Sequence, residues 1–374
     1  MVGDIGIGGD HPVRAQTMTN TDTLDTEKTM KQIKKCMQAG AEFIRLTTQT
    51  KKHARNILEI KKKLKKDKIH IPIIADVHFD PQVAFESLKY ADKVRINPGN
   101  FLSRVLGTGK GKTDVKFLKA ELEKGLLPLI KSAKQYKKPL RIGVNQGSVA
   151  DRIVDYFGRT PRGLVTSLME YLQVFAKHNF HDLIVSIKSS DPLVMIESNK
   201  LLVREMKKAG MDYPIHIGVT EAGSGQAGRV KSIVGISNLL LAGIGDTVRV
   251  SLTESPEREL PVVYDILQAT NRRITKPEFI SCPSCGRTLF DIAKISEEVK
   301  RKLKNIKLPG IKIAIMGCVV NGFGEMGDAD FGYIGAGKGK VNLYYQGKLI
   351  RKNIEEEAAV GELVNLICDK TDLE

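Results

Sequence analysis

The chain has 374 residues and a mass of 41.3 kDa, room for one large α/β barrel with an appendage or for two or three domains. Its 41% apolar and 27% charged residues exclude a disordered or collagen-like chain, and no apolar run approaches the roughly eighteen residues of a membrane span. A net charge of +16 leaves two partners to weigh, nucleic acid and an anionic small molecule.

The opening MVGDIGIGGD lacks the basic start and apolar stretch of a signal peptide, so no membrane partner is expected and the expected location is the cytoplasm. From there a short β-prone apolar run followed by an amphipathic helical stretch recurs along the first 270 or so residues. Strands are expected at 13–18, 42–47, 71–78, 93–97, 140–145, 182–188, 214–220 and 246–251. Among the helices, 26–39 ends at Gly40, 81–91 begins with Pro81, Thr160-Pro161 opens another, 192–209 ends at Gly210, and Ser255-Pro256 starts the last. The lysine runs Lys61-Lys62-Lys63 and Lys65-Lys66 carry no interleaved aromatics, and no helix-turn-helix or RNA-recognition signature accompanies them. They read as solvated helix surface, and no nucleic-acid partner is expected. Eight βα units in about 260 residues match a (β/α)8 barrel, with an open doubly wound sheet as the alternative.

Barrel chemistry sits at the carboxyl ends of the strands, and those ends are polar here with a period of two, which puts the polar residues on one face. Arg45 pairs with Thr47, Asp76 with His78, Arg95 with Asn97, Ser186 with Lys188, His216 with Thr220 and Arg249 with Ser251. Arg141, Gly143 and Asn145 share a side, and Glu221 lies just beyond its strand. A lone arginine at a strand end often binds only a loop carbonyl. Five units placing a cation at the same end suggest instead a bowl of Arg45, Arg95, Arg141, Lys188 and Arg249 for a phosphate-rich molecule, because guanidinium groups grip phosphate oxygens in pairs.

Gly223-Ser-Gly225-Gln-Ala-Gly228 fits the dinucleotide pattern formally, but it lies in the seventh βα loop and the next acidic residue, Asp246, begins its strand rather than ending it. A phosphate-approach loop is the better reading. The stretches 107–111 and 335–339, GTGKG and GAGKG, lack the continuation of a P-loop and are expected to be mobile turns.

Near Thr275-Lys276-Pro277 the pattern changes, and a barrel domain 1–272 is expected to give way to a cluster-bearing α/β domain 273–374. Five cysteines make no disulfide framework, yet Cys282, Cys285 and Cys318 fall within 37 residues, which asks for a metal. A helical run is expected at 289–306, a strand at 311–316, a hairpin at 340–350 and a closing helix at 354–369. The Cys282-Pro-Ser-Cys285-Gly stretch resembles one zinc knuckle, but a ribbon needs a second, and only Cys318 is at hand. Cys36 and Cys368 sit in amphipathic patterns, where a small buried thiol is the ordinary outcome. Three thiolates and one displaceable ligand describe a catalytic cluster better, and Glu325, seven residues after Cys318 in a Gly-rich loop, is the candidate fourth ligand.

Together, QTMTNTDT from Gln16, ADVHFDP from Ala75, RINPGN from Arg95, RIGVNQGS from Arg141, GVTEAG from Gly218, CPSCGRT from Cys282 and GCVVNGFGE from Gly317 make the chain resemble, over its whole length, the 4-hydroxy-3-methylbut-2-enyl diphosphate synthase family of the non-mevalonate isoprenoid pathway, in its compact bacterial form. The resemblance implies reductive ring opening and dehydration of 2-C-methyl-D-erythritol 2,4-cyclodiphosphate, with electrons delivered singly through a [4Fe-4S] cluster on Cys282, Cys285, Cys318 and Glu325. It implies Arg45, Arg95, Arg141 and Lys188 as diphosphate partners, with Arg249 in the same bowl. Asn145 and Glu221 fall nearest the reacting carbons, Glu221 as the candidate proton donor, and Asp76, Asn97, His216 and Ser251 are contacts or scaffolding. Further implications are a flavodoxin- or ferredoxin-type electron donor and a homodimer whose active site is completed between chains. The segment 271–277 spans at most about 25 Å extended, little more than the height of a barrel, which favours the same dimer. Where the family usually has Asn-Gly-Pro-Gly-Glu, Phe323 replaces the proline, and the loss of a fixed φ is expected to loosen the loop before Glu325.

Overall fold

A computed structural model describes residues 1–102, 115–304, 306, 308 and 310–371. The stretch 107–111 lies outside them. The chain divides into two compact units, Met1–Arg273 and Ile274–Glu374. Among the described residues no helix is long and apolar enough to cross a membrane.

The first unit carries eight parallel strands: β1 (Arg14–Met18), β2 (Phe43–Thr48), β3 (Ile73–Val77), β4 (Lys93–Ile96), β5 (Leu140–Asn145), β6 (Leu183–Lys188), β7 (His216–Ile217) and β8 (Thr247–Val248). They pair in the order β6-β5-β4-β3-β2-β1-β8-β7. A parallel bridge from Val185 of β6 to Ile215, just before β7, joins the two ends of that order, with Val185 N–H donating to the Pro214 carbonyl at 2.9 Å. The sheet is therefore a (β/α)8 barrel, not an open doubly wound sheet.

Local chemistry starts the helices where the sequence suggests. Asp25 accepts from Lys28 N–H at 3.0 Å ahead of Thr26–Gln38, and Asp191 accepts from Leu193 N–H at 2.8 Å ahead of Pro192–Lys208. Apolar positions spaced three and four apart, Ala54, Ile57, Ile60 and Leu64 in Lys51–Lys66, turn one face of the helix inward and leave its lysines outside. Val2, Phe43, Ile74 and Ile184, with Ile5 and Ile7 against them, make a separate apolar cluster that joins the N-terminal segment to barrel strands. β7 and β8 are shorter than the expected 214–220 and 246–251, although Arg249 N–H still donates to the Ile217 carbonyl at 3.1 Å.

The second unit is a five-stranded mixed sheet: β9 (Glu278–Ser281), β10 (Lys312–Met316), β11 (Phe331–Gly337), β12 (Lys340–Tyr345) and β13 (Lys348–Glu355), in the order β13-β12-β11-β10-β9. β9, β10 and β11 run parallel, and β12 and β13 return antiparallel. Ile292–Leu303 and Glu356–Lys370 pack on it through Val299, Leu303, Leu363 and Ile367. Three expectations change. The stretch 335–339 is not a free turn: Gly335 and Gly337 end β11, and Gly337 pairs with Lys340 across the hairpin. The hairpin expected at 340–350 continues to Glu355, so the closing helix starts at Glu356. The Gly-rich stretch after Cys318 is a helix, Val319–Glu325, in which backbone bonding sets the angles; its end is marked by Met326 N–H donating to the Gly322 carbonyl at 3.2 Å. The loosening expected at Phe323 therefore falls on helical backbone.

Candidate active site

At the carboxyl ends of the barrel strands, a cavity of about 80 Å³ is lined by Arg45, Asp76, His78, Arg95, Arg141, Asn145, Ser186, Lys188, Thr220, Arg249 and Ser251. Five cations face one carboxylate. Asp76 organises two of them: Arg95 Nη1 donates to Oδ1 at 3.0 Å, and Arg45 Nε stands 3.7 Å from Oδ2. Burial opposes the ionised carboxyl, but Arg45, Arg95 and His78 outweigh it and hold Asp76 well below the usual carboxylate range. Arg95 Nη2 donates to the Gly143 carbonyl at 2.9 Å. A Cβ on Gly143 would lie 2.9 Å from Arg95 Nε and 2.7 Å from Ser186 Oγ, so only glycine lets the guanidinium lie against β5.

Glu259, buried at the start of the last barrel helix, performs the second carboxylate's work from behind the wall. It accepts from Arg249 Nη2 at 3.2 Å, Thr17 Oγ1 at 2.8 Å and Leu252 N–H at 3.2 Å. Among the described residues no carboxylate bonds Arg141, which is 1% exposed and whose Nε and Nη1 have no hydrogen-bond partner there. Burial and the neighbouring arginines push Arg141 and Lys188 well below their ordinary values, and burial, against the pull of Asp76, brings Arg45 down to about 10. Gathering charge this way is costly, and a bound polyanion relieves it.

The cavity thus brings together eight of the residues picked from the sequence: Arg45, Asp76, Arg95, Arg141, Asn145, Lys188, Arg249 and Ser251. Asn97 and His216 lie outside its lining. Asn97 is a loop brace, donating from Nδ2 to Ser148 Oγ at 2.7 Å and accepting from Gly99 N–H at 3.0 Å. His216 is fully buried with Nδ1 2.8 Å from Thr247 Oγ1. Glu221 is exposed beyond β7 at φ +53° and does not line the cavity, a left-handed conformation that non-glycine residues hold at some cost. His78, Ser186 and Thr220 do line it; the period-two alternation had placed all three on the right face.

In the second unit, sheet register sets Cys282 and Cys318 just past the same end of two paired strands. Ile280 of β9 pairs with Ala314 of β10 and Ser281 with Ile315, so Cys282 follows one strand beside Gly317 and Cys318 after the other. Gly317 N–H donates to Cys282 Sγ at 3.3 Å. Cys282 and Cys318 are half-buried and Cys285 is exposed. Backbone and side-chain hydrogen bonds from Arg287 hold the Cys285 thiol below its usual value, and the charges of Cys285 and Cys318 both act on Arg287. N–H donors and a cation favour the thiolate, the form that ligates metal. Glu325 is exposed at the last position of its helix. Cys318 is the extended residue that precedes this helix, and Glu325 ends it about 10 Å further along. Among the described residues no three His, Cys, Asp or Glu side chains approach closely enough to hold one metal ion. A multi-iron cluster takes its ligands on separate irons, and this thiolate-favouring, two-strand arrangement fits such a group. Cys36, by contrast, is fully buried, and burial with Glu257 and Glu259 pushes its thiol up to about 12.

Two family models match. The GcpE TIM-barrel domain covers residues 1–264, and the GcpE protein C-terminal domain covers 278–369. A 4-hydroxy-3-methylbut-2-en-1-yl diphosphate synthase (ferredoxin) of Prochlorococcus marinus is 46% identical over 374 residues, spanning 98% of this chain and 90% of that protein. The protein of the same description from Picosynechococcus is 45% identical over 370 residues, with 98% and 90% covered. Among solved structures, an N-acetylneuraminic acid synthetase from Leptospira borgpetersenii superposes at a TM-score of 0.46 and 13% identity, covering 82% of this chain and 96% of that one, too distant a likeness to argue from.

Proposed function

The chain belongs to the GcpE family of 4-hydroxy-3-methylbut-2-en-1-yl diphosphate synthases, and from that premise we propose how its own residues serve the reductive ring opening and dehydration of 2-C-methyl-D-erythritol 2,4-cyclodiphosphate. The observation that carries the substrate assignment is the cavity with five cations, one carboxylate and an Arg141 whose buried donors are unanswered. Arg45, Arg95, Arg141, Lys188 and Arg249 bind the diphosphate, with Ser251 beside Arg249. Asp76 aims Arg45 and Arg95. Asn145 contacts the carbon skeleton, and Glu221, carried on the loop after β7, supplies a proton to it. Cys282, Cys285, Cys318 and Glu325 hold a [4Fe-4S] cluster, which when bound supplies the two electrons one at a time. The iron–sulfur donor that relatives name as ferredoxin, or a flavodoxin in its place, recharges it, and a reducing cytoplasm suits thiolates without a disulfide framework.

A charged hydrogen bond to phosphate contributes about 1.5–3 kcal/mol, so Arg141→Ala is expected to lower kcat/KM roughly 10- to 100-fold while the visible spectrum of the protein stays unchanged. Wild-type kcat/KM in both Arg141→Ala and Arg95→Ala would place the diphosphate elsewhere.

The functional unit in this reading is a head-to-tail homodimer in which the cluster unit of one chain serves the barrel mouth of its partner. It is supported by the short segment 271–277 and by the family. Glu221→Ala and Cys285→Ser chains, each inactive alone, are expected to regain activity when mixed and exchanged, because some mixed dimers contain one site with both halves intact. Verified mixed dimers that stay inactive would overturn the arrangement.

A further inference from the structure

One step back along the strands from the cavity, the barrel buries a second set of polar side chains. Their neighbours in sequence, Ala15, Val94, Leu140, Ile142 and Ile217, belong to the apolar core that also holds helix residues such as Ile33, Ile57 and Leu126. Alternation therefore turns Gln16, Lys93, Arg141 and His216 to the barrel's inside. The residues two further on agree: Arg95 lines the cavity, and Met18 Sδ accepts from Arg45 Nε at 3.0 Å. All four side chains are buried, and six of their atoms have no hydrogen-bond partner: both amide atoms of Gln16, Lys93 Nζ, Arg141 Nε and Nη1, and His216 Nε2. They share one neighbourhood. The charges of Lys93 and Arg141 act on His216, and that of Arg141 acts on Lys93. Lys93 Nζ stands 5.3 Å from the centre of the Phe43 ring, and Phe43 is the register partner of Gln16. Lys93 itself pairs with Ile74, which joins Phe43, Ile184 and Val2 in an apolar cluster.

Arg141 also reaches the cavity, but Gln16, Lys93 and His216 do not line it. A buried polar group left unanswered is costly, and a buried ammonium more so. The charges acting on Lys93 are those of Arg141 and Arg45, both of its own sign. Lysine and arginine only donate, and the amide of Gln16 has an unpartnered N–H in either of its orientations. The open acceptors are the Gln16 carbonyl and, in one tautomer, His216 Nε2. Donors outnumber acceptors. A water molecule brings protons of its own and leaves that imbalance standing, whereas a monatomic anion accepts from every direction. We propose that the barrel interior holds one small monatomic inorganic anion of the chloride class, bound by Lys93 Nζ and the Gln16 amide N–H, with His216 beside it and Arg141 between it and the mouth. The anion balances the one ammonium of this layer, and its charge offsets part of the repulsion among the cations of the mouth. The site is separate from the diphosphate cavity and does not depend on that reading.

Equilibrium dialysis of the whole protein against radiolabelled chloride, with gluconate holding the ionic strength, counts the ion. The wild type is expected to retain close to one chloride per chain more than Lys93→Met, which keeps the length of the side chain and removes its charge. Loose binding to the basic surface is common to both proteins and cancels in that difference. Excess bromide is expected to displace the ion, and inorganic pyrophosphate is expected to leave it in place. Equal retention by wild type and Lys93→Met overturns the proposal. Displacement by pyrophosphate puts the ion in the mouth and overturns a separate site. Stability gives a second reading: above its dissociation constant one bound ion raises the folding constant about tenfold for each tenfold rise in chloride. That slope is expected in the wild type and not in Lys93→Met, and the same slope in both overturns the proposal. The wild type also answers without any variant. Crystals grown in bromide are expected to show an anomalous scattering peak beside Lys93 Nζ, and water there without anomalous signal overturns the proposal. A peak in the crystal without retention in dialysis marks an adventitious ion only and overturns it as well.

Discussion

Cys318→Ser is expected to yield a folded protein that holds no iron after anaerobic purification, and Cys282→Ser and Cys285→Ser are expected to do the same. The substitution removes one sulfur and leaves the shape, so the second unit keeps the core built from Val299, Ile313, Ile315, Leu343 and Leu363. What it removes is a proposed ligand whose place the sheet sets: Cys282 and Cys318 are 36 residues apart in sequence, and because β9 and β10 run parallel in register each strand releases its cysteine at the same end. A serine hydroxyl is a hard ligand that keeps its proton at neutral pH, and it replaces thiolate poorly on iron. Cys36→Ser and Cys368→Ser serve as controls and should keep full iron and sulfide, because neither thiol lies in this strand-end arrangement. Iron, acid-labile sulfide and absorption near about 400 nm, where iron–thiolate charge transfer falls, give the readout. Full iron loading of Cys318→Ser would sink the ligand assignment.

The alternating strands made the barrel legible, and the same alternation exposed the cationic mouth: Arg45, Arg95, Arg141, Lys188 and Arg249 could be picked because each shares its alternating register with the polar residues toward its strand's carboxyl end. What stayed hidden depends on contacts between distant parts of the chain. Glu259 looks like one more helix-start carboxylate until Thr17, 242 residues away, and Arg249 converge on it. His78 shared a face with Asp76 in the sequence, but nothing local says that Arg95 will lean on its ring. β9 left no periodic signal because both its faces stay partly exposed. β11 was misread for the opposite reason: its glycines suggest a turn, yet a Cβ on Gly335 would meet the Gly317 carbonyl at 2.5 Å and one on Gly332 would meet Met326 Sδ at 2.2 Å. Those glycines mark a strand packed tightly under the segment that carries Cys318. A residue type that usually signals freedom here signals crowding.

Glu325→Gln is expected to separate holding iron from using it. The carboxylate ends a two-turn helix that begins at Val319, directly after Cys318, so its position is set by helical backbone. A glutamine in its place has the same length and keeps an oxygen at the same point, but it lacks the charge that makes a carboxylate a useful ligand. With three thiolates intact, the protein is expected to assemble near wild-type iron and sulfide under anaerobic reconstitution, and to lose both faster in air because its fourth position is weakly held. Turnover is expected to fall further than the cluster content. Partners that merely orient a metal ligand typically cost 10- to 100-fold when removed, so a residue that binds iron directly and must also let go of it should cost about 100-fold or more. The two readouts distinguish the possibilities. Wild-type turnover in Glu325→Gln would show that the carboxylate is not needed, and complete loss of iron would make it a structural ligand rather than an exchangeable one. Retained iron with collapsed turnover is the outcome that an exposed carboxylate at the end of the short helix after Cys318 leads us to expect.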